Sequence, residues 1–259
     1  MGVLTLDDHR TGLLSRGASG PPVVLLHSLG SDKRMWEPVL DRLASGRRVF
    51  AYDLRGHGEA AAAPHPQRLT DLARDLFGVL DALQLETAHI VGLSYGGGIA
   101  QTAAVEAPER FASLALLATT DRPFPEVFEQ RAAAVETGGM EAQVEESIAR
   151  WFTPEAVAAE AAGVRFAREG VRAMDPAAWA AAWRAMKQLD VRGKLGAFTA
   201  PALVVAGGAD LAGSADVLRQ LADGIPGGQF VELPGVPHLQ TLERPELVAD
   251  ALDGFLPRG

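Results

Sequence analysis

Apolar residues follow two alternating rhythms along the first half of the chain. Short runs that are apolar at nearly every position read as strands buried on both faces: Pro22-Val23-Val24-Leu25-Leu26, Arg48-Val49-Phe50-Ala51-Tyr52, Ala88–Leu93 and Leu114-Ala115-Leu116-Leu117. Between them lie segments with a single apolar stripe. Positions 69, 72, 73, 76, 79, 80 and 83 are apolar, the 3.6-residue period of an amphipathic helix. Further helices are expected over about 36–44 and up to residue 107. Wholly apolar strands separated by helices imply a parallel sheet covered on both sides, hence an α/β architecture.

The rhythm stops between about residues 121 and 200, a segment rich in alanine, glutamate and arginine with no convincing strand. It reads as several helices, broken at Gly138-Gly139, Thr153-Pro154 and Asp175-Pro176. Strands resume at Ala202-Leu203-Val204-Val205-Ala206 and Gln229–Leu233, with helices near Ala215–Ala222 and from Pro245 to Phe255. The expected organisation is therefore a core of residues 1–120 and 201–259, with residues 121–200 inserted as a helical cap over the strand ends. Three of the four tryptophans, Trp151, Trp179 and Trp183, fall in that cap. They are either its own small core or the lining of a substrate pocket.

Composition narrows the function. At 259 residues and 47% hydrophobic, the chain suits one domain with an insertion. A net charge of −9 disfavours nucleic acid or an anionic membrane as partner. The absence of cysteine excludes disulfides, thiolate metal sites and a cysteine nucleophile. Met1 to Arg16 lacks the apolar core of a signal peptide, and no uncharged run approaches the ~20 residues of a membrane span. A soluble, cytoplasmic protein is expected. Neither an internal repeat nor a low-complexity tail is evident.

The strongest chemical signal is Gly92-Leu93-Ser94-Tyr95-Gly96, which leaves the 88–93 strand and opens a helix. A turn this tight strains its central residue, and the flanking glycines avoid a collision across it. Ser94 is thereby lifted to a helix N-terminus, where it can act as a nucleophile. A serine hydroxyl needs a base, an acid to orient that base, and donors for the developing oxyanion. Of the six histidines, His238 follows the last strand in the loop Pro234-Gly235-Val236-Pro237-His238 and is the candidate base. His9 and His65 are expected to be solvated, His89 lies at the wrong end of its strand, and His57 reads as structural. The carboxylate should leave the end of the 202–206 strand, where Asp210 stands; Asp121, after the 114–117 strand, is its rival. Asp216 reads as a helix-cap or solvated acid. The amides of Tyr95 and Leu29 are the candidate oxyanion donors, with His27 ordering the second loop. No His/Asp/Glu spacing suggests a metal, and no glycine-rich loop follows the first strand in the dinucleotide pattern.

Taken together, His27-Ser28-Leu29-Gly30, Asp53-Leu54-Arg55-Gly56-His57-Gly58, Gly92-Leu93-Ser94-Tyr95-Gly96-Gly97, Gly207 to Asp210, and His238 resemble the α/β-hydrolase superfamily over nearly the whole chain. A narrower likeness is to 3-oxoadipate enol-lactonases. It is carried by His27-Ser28-Leu29-Gly30 through Arg34-Met35-Trp36, by Ala107-Pro108-Glu109-Arg110, by Trp151-Phe152-Thr153-Pro154, and by His238-Leu239 with Leu242-Glu243-Arg244-Pro245-Glu246. The chain departs from that group's usual pattern at Glu59-Ala60, at Tyr95, and in the alanine- and tryptophan-rich stretch 175–186. The resemblance implies an α/β-hydrolase fold, a mostly parallel central sheet flanked by helices with a helical cap. It further implies a Ser-His-Asp triad of Ser94, His238 and Asp210, no cofactor, and a small-molecule ester or lactone as substrate. Hydrolysis of a carbon–carbon bond or perhydrolysis on the same triad is the nearest alternative. A ligand-binding receptor that merely keeps the fold is the alternative from another class.

Overall fold

The computed structural model describes residues 2–259. Two strands precede those that the apolar pattern picks out. β1 (Gly2–Thr5) and β2 (Arg10–Arg16) form an antiparallel hairpin. The pattern hides β2 because the residues that it buries include Thr11 and Gly12 rather than an alternating apolar set. Thr11 is accommodated by donating its hydroxyl to the Asp53 carbonyl at 2.6 Å.

The alternating part follows as β3 (Pro22–Leu26), α1 (Glu37–Leu43), β4 (Arg48–Tyr52), α2 (Leu69–Ala82), β5 (Ala88–Leu93), α3 (Tyr95–Glu106) and β6 (Phe111–Leu117). Four helices then intervene: α4 (Pro125–Trp151), α5 (Pro154–Ala158), α6 (Ala162–Ala173) and α7 (Pro176–Met186). The chain returns with β7 (Ala202–Gly207), α8 (Ala215–Asp223), β8 (Gln229–Leu233), α9 (Gln240–Glu243) and α10 (Pro245–Phe255). Thr153 and Asp175 cap α5 and α7 with their side chains, immediately before prolines that supply no donor. The Gly138-Gly139 break takes a different form. α4 runs through it with a kink at Gly139, whose φ of 69° leaves the helical region.

The eight strands are ordered β1-β2-β4-β3-β5-β6-β7-β8. Only β1–β2 and β2–β4 pair antiparallel; the rest of the sheet is parallel. The register brings the carboxyl ends level: Leu26 pairs with Gly92, Leu93 with Leu117, Leu117 with Val205, and Gly207 with Leu233. The loops leaving β3, β5, β6, β7 and β8 therefore converge at one edge, where open α/β sheets bind ligands. α4 to α7 enter the chain at that edge, between β6 and β7. No helix among the described residues is long and apolar enough to cross a membrane.

Candidate active site

Ser94 occupies the bend between β5 and α3 with φ 54° and ψ −109°, a conformation that side chains rarely adopt. Three hydrogen bonds hold it there. Its N–H donates to the Leu117 carbonyl at 2.8 Å, and its own carbonyl accepts from Thr119 Oγ1 at 2.9 Å and from the Gly98 N–H at 3.0 Å. The two glycines are required by space. A Cβ on Gly92 would lie 2.4 Å from the Gly96 carbonyl oxygen, and one on Gly96 would lie 2.3 Å from that of Leu26. The bend is thus a close packing of backbone on backbone.

His238 arrives on the loop after β8, and its Nε2 lies 2.9 Å from Ser94 Oγ. Its Nδ1 lies 2.8 Å from Asp210 Oδ2. Asp210 has left β7, and its other oxygen accepts from the N–H groups of Ala212 at 2.7 Å and Gly213 at 2.9 Å. With Oδ1 occupied in this way, Oδ2 is turned to the imidazole, and the Nδ1–H tautomer leaves the Nε2 lone pair for the serine hydroxyl. Asp210 is fully buried as a side chain and His238 nearly so. Asp121 does not compete. Its carboxylate is engaged by the neighbouring Arg122, 2.6 Å from Nε.

The two amides proposed for the oxyanion lie on loops that are tied together. The Gly96 N–H donates to the His27 carbonyl at 3.1 Å, which joins the start of α3 to the loop after β3. Neither the Leu29 nor the Tyr95 N–H donates to an acceptor among the described residues. Two buried histidines hold the loop. His27 Nδ1 lies 2.8 Å from the Ser28 carbonyl, and its Nε2 accepts from the Leu54 N–H at 2.9 Å. His57 Nδ1 lies 2.9 Å from the Arg55 carbonyl, and its Nε2 accepts from the Gly30 N–H at 3.2 Å. Burial pushes both imidazoles toward the neutral form; for His57, burial with His27 beside it lowers the pKa to about 3. Each ring uses one nitrogen as donor and the other as acceptor. They are struts.

Residues 21–245 match the family model described as the alpha/beta hydrolase fold. The chain belongs to the α/β-hydrolase family. It is similar to 3-oxoadipate enol-lactonase 1 of Acinetobacter baylyi, 32% identical over 248 residues that cover 92% of this chain and 89% of that protein. Among solved structures it is similar to the enol-lactonase from Burkholderia xenovorans LB400, with a TM-score of 0.93, 31% identity, and 98% and 99% of the two chains covered. A thermophilic esterase from Thermogutta terrifontis matches with a TM-score of 0.91, 28% identity, and 98% and 97% covered.

Within this α/β-hydrolase, a cavity of about 340 Å³ opens onto Ser94, Leu29 and His238. The helical insertion supplies much of its wall, including Phe124, Val127, Phe128, Trp151, Trp183 and Met186. Two of the three singled-out tryptophans therefore line the cavity, and the third does not. Trp179 is fully buried behind it, against Trp151 and Trp183, and stands where a Cβ on Gly30 would come within 3.1 Å. Its place on the inner face of α7 makes it a wedge between the insertion and the loop that carries Leu29.

One expectation about a polar residue is corrected. The His9 side chain is only 4% exposed, held beside Asp8 at 2.8 Å. Asp8, His9 and Asp75 also come close enough to hold an ion, with one ligand atom from each within 4.8 Å of the others. Arg55 already bridges that group, bonding both Asp8 and Asp75, and its guanidinium holds the Asp8 carboxyl down at about 2. His65 is half-exposed, and His89 lies 2.7 Å from Ser113 Oγ, away from the site. Asp216 lies in the first turn of α8. Glu59, a departure from the enol-lactonase pattern, accepts from the buried Lys33 Nζ at 3.0 Å beside Asp53.

Proposed function

We propose that the protein hydrolyses a small carboxylic ester or lactone through an acyl-enzyme on Ser94. The observation that carries this reading is the unbroken chain from Asp210 through His238 to Ser94 Oγ, at 2.8 and 2.9 Å, on the floor of a cavity. Ser94 attacks the carbonyl carbon while His238 Nε2 takes its proton, and Asp210 holds the imidazolium that results. The Leu29 and Tyr95 amides receive the oxyanion. The tetrahedral species collapses as His238 returns the proton to the leaving oxygen. Water then attacks the acyl-enzyme with His238 as base, which frees the acid and restores the serine.

The likeness to enol-lactonases supports a lactone as the substrate, with 3-oxoadipate enol-lactonase-like activity the specific form of the proposal. The serine at the bend supports acyl transfer in place of an alkyl ester formed on a carboxylate. No cofactor enters these steps. A cytoplasmic location goes with this reading, and cell fractionation with an activity assay checks it.

A fluorophosphonate probe tests the central step. Stoichiometric labelling of the peptide carrying Ser94, with an acyl-enzyme burst on an aryl ester, is the expected result; an unlabelled Ser94 rejects it. A panel of aryl esters, enol-lactones and vinylogous diketones separates C–O from C–C cleavage. Turnover confined to the diketones would replace ester hydrolysis with the carbon–carbon reading.

A further inference from the structure

The loop after β3 has one amide to hold still, and it is fastened from behind. Residues 28–31 form a tight turn in which the Ser31 N–H donates to the Ser28 carbonyl at 3.2 Å. Gly30, with φ 73°, takes the third place, where a type II turn requires a positive value, and Leu29 takes the second. Such a turn fixes its own shape but not its tilt toward Ser94. The tilt is set by residues 53–60, the segment that follows β4, which grips the loop at three places. The Leu54 N–H donates to His27, and the Gly30 N–H donates to His57. The third place is Lys33, just beyond the turn.

Lys33 is tied by its backbone and by its side chain. Its N–H donates to Asp53 Oδ1 at 3.0 Å, and its Nζ donates to Asp53 Oδ2 at 2.8 Å and to Glu59 Oε1 at 3.0 Å. Asp53 Oδ2 also accepts from the Glu59 N–H at 2.9 Å. The Asp53 side chain is fully buried, that of Lys33 nearly so, and that of Glu59 half-exposed. Burial works against the ammonium, but its hydrogen bonds to the two acids outweigh that cost and raise the Lys33 pKa, so the cation persists. The group fits closely against β2. A Cβ on Gly12 would come within 2.5 Å of Asp53 Oδ2 and 2.6 Å of Lys33 Nζ. None of the three lines the cavity above Ser94, so none touches a substrate there.

Buried ions are a poor means of adding stability. Apolar side chains of similar volume hold a fold as well, because each charge loses its hydration on burial. What ions add is direction. An ammonium between two carboxylates, with its own N–H on one of them, admits a single placement of the chain. We propose that Lys33, clamped by Asp53 and Glu59, is a positioning residue for the oxyanion hole: it fixes the loop that carries the Leu29 amide, and so governs the rate of acyl transfer and not the binding of substrate. This deepens the hydrolase reading and rests on it. An oxyanion donor works only within hydrogen-bond reach of the charge that develops, and a displacement of about 1 Å costs up to about a hundredfold in rate. Glu59, where the chain departs from the enol-lactonase pattern, completes the clamp.

The test compares phenyl acetate with its thionoester, in which sulfur replaces the carbonyl oxygen. Sulfur accepts hydrogen bonds weakly, so the thionoester draws little on the oxyanion donors. Lys33→Met should lower kcat on the oxygen ester by roughly 10- to 100-fold with KM little changed, as expected for an interaction made in the transition state. Its rate on the thionoester should fall much less, so the ratio of the two rates contracts. Where Lys33→Met does not fold, the half-exposed Glu59 carries the test. Glu59→Ala should lower kcat on the oxygen ester about two- to fivefold, the scale of one partly exposed ion pair, and contract the ratio. Glu59→Gln, which keeps an acceptor for Lys33, should restore both. A clamp that only stabilises the fold would lower the urea midpoint and leave the ratio alone. An unchanged ratio in the folded variants therefore overturns the inference and leaves the hydrolase reading standing. Wild type that turns over neither ester, with Ser94 unlabelled by the fluorophosphonate, removes the hydrolase reading and the inference with it.

Discussion

Asp210 and Asp121 show how much one neighbour decides at the scale of single residues. Both leave the carboxyl end of a strand, but Asp121 is followed by an arginine that captures it, whereas two backbone amides turn Asp210 toward the imidazole. Asp210→Asn should therefore lower kcat/KM on an aryl ester by about 10³- to 10⁴-fold, the scale set by loss of an orienting carboxylate in serine hydrolases. Asp121→Asn should cost less than about tenfold, and the opposite ranking would transfer the role. His57 yields a second prediction. Its pKa falls from 6.5 to about 3 on folding, so the unfolded chain takes up a proton first as the solution is acidified. The stability that its neutral form contributes is complete above about pH 6.5 and drains as pH falls toward 3, by at most about 1.4 kcal/mol per unit. Urea midpoints at pH 7 and pH 5 should move closer together in His57→Gln than in wild type. A gap as wide as that of wild type would contradict the assignment. Ser94, His238 and Asp210 were legible in the sequence because each occupies a position fixed by strand order.

Elements differ in how plainly they announce themselves. β3 to β7 are apolar runs and could be read directly, because a strand covered on both faces has to be apolar throughout. β2 could not, since it buries Thr11 and Gly12 by satisfying a hydroxyl and by close approach, neither of which leaves a periodic trace. The three tryptophans of the insertion were ambiguous for a related reason: helical spacing gives the face of a helix, not what covers it. α7 carries both outcomes. Trp179→Ala should remove about 3–5 kcal/mol of stability, measured by urea unfolding, because its whole side chain is packed. Trp183→Ala, at the cavity wall, should unfold at a urea concentration nearer to that of wild type and shift relative kcat/KM between short and bulky acyl esters. If Trp183→Ala were the less stable of the two, with preference unaltered, their placements would be reversed.

Across the whole molecule, regions distant in sequence are fastened at a few buried points. Arg47 is completely buried, and its guanidinium donates to the carbonyls of Leu43, Leu256 and Pro257 as well as to Asp253, which locks α10 against α1. Arg47→Ala should cost about 3–5 kcal/mol in chemical denaturation, because three carbonyls and an acid lose their donor together. A loss below about 1 kcal/mol would mean that the fastening is dispensable. Two of the segments that carried the narrower family likeness meet in space. Thr153 donates from both its N–H and its hydroxyl to Glu243, at 3.0 and 2.6 Å. One step away, the Leu239 N–H donates to the carbonyl of Trp151 at 3.1 Å, directly after His238 in the chain. Anyone who transplants a foreign lid onto this scaffold to change what it accepts will also be cutting a guy-rope to the general base. Chimeras should keep residues 151–153 and 239–243 as a matched pair, exchanging only what lies between the kink at Gly139 and Arg150 or from Pro154 to the end of α7.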